Sequence, residues 1–344
     1  MALAELKCFS RAHIEANRQD APALLAEQAV HCLELVAELS EAGLDFSFKG
    51  GNSLLVLLES PRRFSIDVDI STNESKEHIS ACIDKAILKH GVFTRVNHRV
   101  HKTKPWLPMT SYELFYRSAF EISEEAFIML DAMLTKSDYL MIRKPIQCGT
   151  LYQSVVETEL PAIESLLADK LLTLGPNTLG IPLGKKKEAQ RLKHGHDISL
   201  LMSQNPRLEP IREALLHCLQ QENGLQNKTL SLTDVLNDTL CFCMEPFRFA
   251  EAPETVPDGR DMLQEIVRGR LPFAEHLFSR DYSWQRLQYD LARVALSFYA
   301  AATGKVTCAE FEAALALRDA GLLWKQIALW HDGDPVCDYP RVNV

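Results

Sequence analysis

Three acidic residues carry the most legible chemistry in this sequence. Asp67 and Asp69 stand two apart in Arg63-Phe64-Ser65-Ile66-Asp67-Val68-Asp69. On a strand, residues i and i+2 share a face, ~6.6 Å apart at a rise of ~3.3 Å per residue, while Val68 and Ile70 alternate with them toward a core. Two carboxylates on one side can converge on Mg²⁺ (or Mn²⁺), a hard cation that takes oxygen ligands and is shared with substrate phosphates. A solvated polar edge is the plainer alternative. Asp131 is the single acid in the apolar run Phe127-Ile128-Met129-Leu130-Asp131-Ala132-Met133, which reads as a buried strand. A carboxylate there needs a proton, a partner or a metal. A neighbouring strand ~4.8 Å away would let Asp131 join the other two, as a third metal ligand or as general base toward an attacking hydroxyl. A strand end or a structural ion pair would also account for it.

Upstream, Phe48-Lys49-Gly50-Gly51-Asn52-Ser53-Leu54 reads as strand, turn and helix. Adjacent glycines let a ligand reach the backbone because no Cβ intervenes. A helix starting at Asn52 would present its free N–H groups and positive dipole end to that turn, which suits phosphate; an ordinary strand-to-helix turn would look the same. Further along, Ile163, Leu166, Leu167, Leu171 and Leu174 form an apolar stripe on a helix expected over residues 162–174, and Lys170 falls inside it. Its ammonium either snorkels to the rim or points into a cleft that takes a triphosphate. Asp197 shares a face with Leu200 and Leu201; it could cap a helix beginning after Gly195 or pair with Lys170. Ser65 lies on the face of Asp67 and Asp69, placed to touch a ligand or to act as a small polar filler.

Two glycines, an Arg-x-Ser-x-Asp-x-Asp strand and a later acid in an apolar strand together resemble the nucleotidyltransferase superfamily. More narrowly, the pattern resembles the AbiEii/AbiGii toxin family, the toxin halves of type IV toxin–antitoxin and abortive-infection systems. That family's Lys-Gly-Gly-Thr turn is matched by Lys49-Gly50-Gly51, and its Arg-x-Ser-x-Asp-x-Asp strand by Arg63 to Asp69. Its Glu/Asp-Lys-Leu helix centre is matched by Asp169-Lys170-Leu171, and its basic segment ending in Asp by Lys193-His194-Gly195-His196-Asp197. The resemblance runs over about residues 48–201. Asn52 departs from the family's usual Thr, Ser or Asp, and Ser53 could supply the missing hydroxyl.

The resemblance implies an α+β fold: a nucleotidyltransferase-type mixed sheet flanked by helices, then a mostly helical region. It implies a nucleoside triphosphate (NTP) substrate held through Lys49, Gly50, Gly51, Asn52, Ser53, Arg63, Ser65 and Lys170. Metal would sit on Asp67, Asp69 and Asp131, and the catalytic set would be Asp67, Asp69, Asp131, Lys170 and Asp197. The implied acceptor is RNA, with the tRNA 3′ end foremost, the outcome growth arrest, and the partner a cognate antitoxin. Nucleotidylation of a protein acceptor, or a nucleotide-sensing module without turnover, are the alternatives.

The elements that must position these residues follow from periodicity. Helices are expected over residues 21–42 and 73–90, each closed by a glycine, with strands over 44–49, 64–70, 93–101, 112–120 and 127–133. From residue 162 onward the pattern is helical, interrupted by a Gly/Pro/Lys loop over 175–187, and Thr307 opens the last long helix with capping-box spacing. At 344 residues and about 150 per domain, two domains are expected: an α+β catalytic part over 1–150, and a helical part over 151–344 that contributes Lys170 and Asp197 near its start.

The net charge of −9 excludes a bulk nucleic-acid coat, so any such contact needs a local basic patch. Residues 185–196 and 93–104 are the two candidates, the second with Arg95, Asn97, Arg99 and His101 on one strand face. Gly180-Ile181-Pro182-Leu183-Gly184-Lys185-Lys186 imitates a P-loop but is one residue short and lacks the Ser/Thr. Nine cysteines without a CxxC pair read as free thiols in a reducing compartment. With neither a signal-peptide pattern nor a membrane-length apolar run, a cytoplasmic location is expected.

Overall fold

The computed structural model describes residues 3–99, 107–120, 125–136 and 138–331. His101 and Lys104 of the second basic segment lie outside the described residues. The chain divides into two compact units. One holds the chain up to residue 136, Met141–Ala162 and His276–Arg280; the other holds Asp138–Leu140, Ile163–Glu275 and the residues from Asp281 on.

The first unit is built on a five-stranded mixed sheet. A short helix α1 (Arg11–Asn17) precedes α2 (Ala23–Ala42), which stops at Gly43 with φ +89. Then follow β1 (Ser47–Lys49), α3 (Gly50–Leu57), β2 (Asp67–Ser71) and α4 (Lys76–His90), the last capped by Ser75 at its start and Gly91 at its end. Strands β3 (Phe93–Arg99), β4 (Met109–Arg117) and β5 (Glu125–Met133) complete a sheet of order β1-β2-β5-β4-β3. Only β2 and β5 run parallel; the other pairs are antiparallel. Val68, Ile70, Leu114, Tyr116, Ile128, Leu130 and Ala132 are buried on one face, in a core shared with α2 and α4.

A two-stranded hairpin, β6 (Met141–Cys148) and β7 (Tyr152–Pro161), packs on the same unit. It is absent from the sequence reading because Arg143, Lys144 and Pro145 interrupt any simple alternation, and the register shifts between Pro145 and Gln147. The expected division after residue 150 falls in this hairpin's turn, whereas the first unit continues to Ala162.

The second unit is helical: α5 (Ile163–Leu171), α6 (Glu188–Met202), α7 (Leu208–Gln226), α8 (Leu232–Met244), α9 (Asp261–Ala274), α10 (Trp284–Thr303), α11 (Cys308–Leu315) and α12 (Ala320–His331). Helix α10 is its centre and contacts α6, α7, α8 and α12. The capping box at Thr307 is present, but it opens an eight-residue helix and not a long one. No described helix is long and apolar enough to cross a membrane.

One core group has a measurable consequence. Glu38 on α2 is 0 % exposed, and neither carboxyl oxygen has a hydrogen-bond partner among the described residues. Burial, reinforced by the neighbouring Glu34 carboxylate, pushes its pKa from 4.5 to about 9. A raised acid pKa means that the folded state holds the proton. The penalty is therefore absent below pH 4.5 and grows until about pH 9, reaching about 3 kcal/mol at pH 7. Glu38→Gln should flatten the fall in melting temperature between pH 5 and 8. Identical pH slopes for variant and wild type would show that Glu38 is not the titrating group.

Candidate active site

Cross-strand register places the predicted carboxylates together. Asp69 on β2 pairs with Asp131 on parallel β5, and Lys49 on β1 pairs with Asp69 from the other side. Asp131 faces Ser111 on β4, which faces Arg99 on β3. One row thus crosses all five strands: Lys49, Asp69, Asp131, Ser111, Arg99. Asp67 lies on the same face, one pleat away, in register with Met129.

Strand β5 is not buried on both faces, as its apolar run implied. Ile128, Leu130 and Ala132 are buried, while Phe127, Met129 and Asp131 alternate with them on the more open face. Asp131 is partly exposed and accepts a hydrogen bond from Ser111 Oγ. Ser111 carries no motif in the sequence; only the β4–β5 register reveals that it orients this carboxylate.

The glycine pair explains how the carboxylates meet the start of α3. The helix begins at Gly50, not Asn52, and Gly50 takes φ +72. A Cβ on Gly50 would overlap the Asp69 carboxylate, and one on Gly51 would come within 2.8 Å of both Arg63 Nη2 and Ser65 Oγ. The turn is therefore a backbone surface against which Asp69, Arg63 and Ser65 close. Ser65 lies two residues before β2, not on it, since the strand starts at Asp67.

Two of the expected phosphate contacts are differently engaged. Asn52 is 0 % exposed and its Nδ2 donates to the main-chain oxygen of Asp67 at 3.2 Å. Ser53 is buried and its hydroxyl donates to the Gly50 oxygen at 2.9 Å. Both side chains brace the turn and the first residue of β2, which is what an amide in place of the usual hydroxyl achieves here. Arg63 is 5 % exposed, with Nη1 donating to the Phe64 oxygen at 3.1 Å. Beneath the site, burial first and then the Asp67 charge keep the Cys32 thiol protonated.

Lys170 and Asp197 both belong to the second unit. The Lys170 Nζ donates to Asp197 Oδ2 at 2.9 Å, with the side chains 6 % and 1 % exposed. The ion pair, left open by the sequence, is the observed arrangement. Asp197 does not open a helix: it lies inside α6, which runs unbroken from Glu188 to Met202, and Gly195 in it packs close to Leu291. Two residues of the first basic segment also turn inward, Arg191 onto Glu265 and His196 onto Asp290 at 2.8 Å. They leave the segment's surface charge to its lysines.

The donor set suits a hard divalent cation. Asp67, Asp69 and Asp131 offer oxygen ligands on one face, and the Gly50 backbone leaves room beside Asp69 that a side chain would fill. Among the described residues no three His, Cys, Asp or Glu side chains form a ready-made cage. Mg²⁺ commonly takes only one or two carboxylates, completing its shell with water and substrate phosphate.

A mixed sheet with paired Asp residues beside a glycine turn defines a nucleotidyltransferase-type protein. The model of the family "Nucleotidyl transferase AbiEii toxin, Type IV TA system" matches residues 33–286, and the chain belongs to that family. It is a nucleotidyltransferase of the toxin–antitoxin class. No curated protein matches. Among solved structures, the chain is similar to the nucleotidyltransferase toxin MenT4 of Mycobacterium tuberculosis, with 15% identity, 90% of this chain and 98% of that one covered, and a TM-score of 0.41. It is also similar to an antigenic nucleotidyltransferase-like protein of Paracoccidioides brasiliensis, with 15% identity, 58% and 91% covered, and a TM-score of 0.36.

Proposed function

We propose that this protein transfers a nucleoside monophosphate from an NTP to a hydroxyl of RNA, the tRNA 3′ end foremost, and so arrests growth. The observation that carries the reading is the register of Asp69 with Asp131, with Asp67 co-facial and Asp69 directly against the Gly50 backbone. The triphosphate lies at the start of α3, where the free N–H groups of the first turn and the positive end of the helix dipole meet anionic oxygens. Lys49 and Arg63 add positive charge to that turn. Asp67 and Asp69 would hold Mg²⁺ or Mn²⁺, and Asp131 would complete the set. When bound, the ion supplies Lewis-acid stabilisation of charge developing on the phosphoryl oxygens. Asp131, held by Ser111, is placed to accept the proton of the acceptor hydroxyl as it attacks the α-phosphate and pyrophosphate leaves.

Lys170 has its ammonium on Asp197 and is given no step in this reaction. The family supports a cognate antitoxin as partner, and a cytoplasmic location follows from an RNA substrate.

The test incubates the full chain with Mg²⁺, each α-labelled NTP in turn, total tRNA and lysate protein. Label on RNA is the expected result and names both nucleotide and acceptor. Label on protein would replace the acceptor, and no label on either would overturn the reading.

A further inference from the structure

The open face of the sheet does not end at the carboxylates. It continues across β5, β4 and β3 as two further rows: Asp67, Met129, Glu113 and Asn97, then Phe127, Phe115 and Arg95. We propose that this face docks the unpaired 3′ end of the acceptor RNA, with Phe127 as stacking platform and Arg99 as phosphate contact. The proposal rests on the RNA reading above.

Direction is the first argument. Asp69 has α3 and β1 on one side and Asp131 on the other. With the triphosphate on the α3 side, the leaving pyrophosphate lies there too. In-line displacement then requires the nucleophile to enter from the opposite side, over Asp131 and the strands beyond it. That side is β5-β4-β3.

Side-chain chemistry is the second. Phe127 is 44 % exposed although it sits mid-sheet beside a buried strand face. Its ring lies 5.6 Å from Phe115, over which the Arg95 guanidinium stacks at 3.3 Å. Phe127 is the exposed ring of the pair, and an exposed aromatic ring beside a guanidinium is what unpaired bases stack on, independent of sequence. A cavity of about 380 Å³ runs from Phe127, Met129 and Asp67 round the strand ends to Tyr116 and to Leu24 and Gln28 of α2, so its mouth adjoins the first carboxylate.

Charge is the third. The described strand β3 carries Arg95 and Arg99 and no acid, in a chain of net charge −9. Besides Asp67, Asp69 and Asp131, two acids lie on this face: Glu125 is paired to Arg95 at 2.8 Å, and Glu113 accepts a hydrogen bond from the uncharged Asn97 amide at 2.9 Å. Arg99 ends the row that contains Asp131, and its Nη1 reaches the Met129 sulfur at 4.0 Å. It is therefore positioned for a phosphate near the reacting hydroxyl.

The experiment compares wild type, Phe127→Ala and Arg99→Gln, both substitutions at exposed side chains that leave the core intact. The initial rate of label transfer is followed against total tRNA at saturating NTP, and against NTP at saturating tRNA. Each variant should raise the half-saturating tRNA concentration about tenfold or more, with half-saturating NTP unchanged within about twofold. Binding of a 5′-fluorescein single-stranded RNA 12-mer, measured by anisotropy against salt, should lose roughly 0.7 of log–log slope in Arg99→Gln. Unchanged tRNA dependence in both variants overturns the docking face and leaves the RNA reading standing. An equal rise for NTP and tRNA also overturns it, because the face would then belong to the nucleotide. Label confined to protein, with no 12-mer bound, overturns the RNA acceptor and the docking face with it.

Discussion

Gly50→Ala is expected to lower nucleotidyl transfer about a thousandfold, to the level of Asp69→Ala. The added Cβ would fall within the Asp69 carboxylate, whose Cγ and Cβ would also lie only 2.6 and 2.8 Å from it. The backbone at φ +72 further disfavours any L side chain. Both effects push Asp69 out of register with Asp131, and the site loses its metal-binding geometry without a change of charge. Gly51→Ala is the internal comparison. Its Cβ meets the ends of the Arg63 and Ser65 side chains, which can move, so a loss of about tenfold is expected. Initial rates of label transfer with circular dichroism as a fold check decide the matter. A Gly50→Ala protein that is folded and keeps a tenth of wild-type activity would refute the close approach as a catalytic requirement.

Lys170→Met is expected to cost about 3–5 kcal/mol of stability, because it strips a buried carboxylate of its ammonium. Asp197 is 1 % exposed and cannot exchange the lost partner for bulk water. Lys170→Met/Asp197→Leu removes both charges and should recover most of that loss, since an apolar pair of similar volume suits the stripe formed by Leu166, Leu167 and Leu171. Urea unfolding of the full chain reads the stability, and label transfer by the stable double variant reads the chemistry. A single variant within 1 kcal/mol of wild type, on the order of a surface substitution, would show that the pair is not a structural device. A stable double variant that transfers no label would give it a part in the reaction.

Particular residues show how far the sequence reached. Asp67 and Asp69 were legible because a strand repeats every two residues, so spacing alone fixes their common face. The helices closing at Gly43 and Gly91 were legible for a similar reason: a left-handed cap is a local requirement that glycine meets. Asp131 stands out in the sequence as an oddity, but its setting differs from what the apolar run implies. Seven consecutive residues of mostly apolar type look buried on both faces, and only the pairing of β5 between β2 and β4 shows one face more open. Following directly on the glycines, Asn52 and Ser53 look like ligand contacts in the sequence. The fold instead turns them inward, since α3 starts two residues earlier than the sequence pattern placed it.

By itself, then, the amino-acid sequence determined the kinds of groups present and their local spacing. Two co-facial carboxylates, a turn that tolerates no side chain, a third acid on a later strand and the helical character of the second half are all properties of short windows. Tertiary structure decided which of these meet. The row from Lys49 to Arg99 draws on five strands spread over residues 47–133, and no local periodicity encodes their order. The partnership of Lys170 with Asp197, 27 residues apart, likewise depends on how α5 packs on α6. Register and helix packing are settled by burying the largest apolar surface while leaving few buried polar groups unpaired, a condition on the whole chain that no segment states alone.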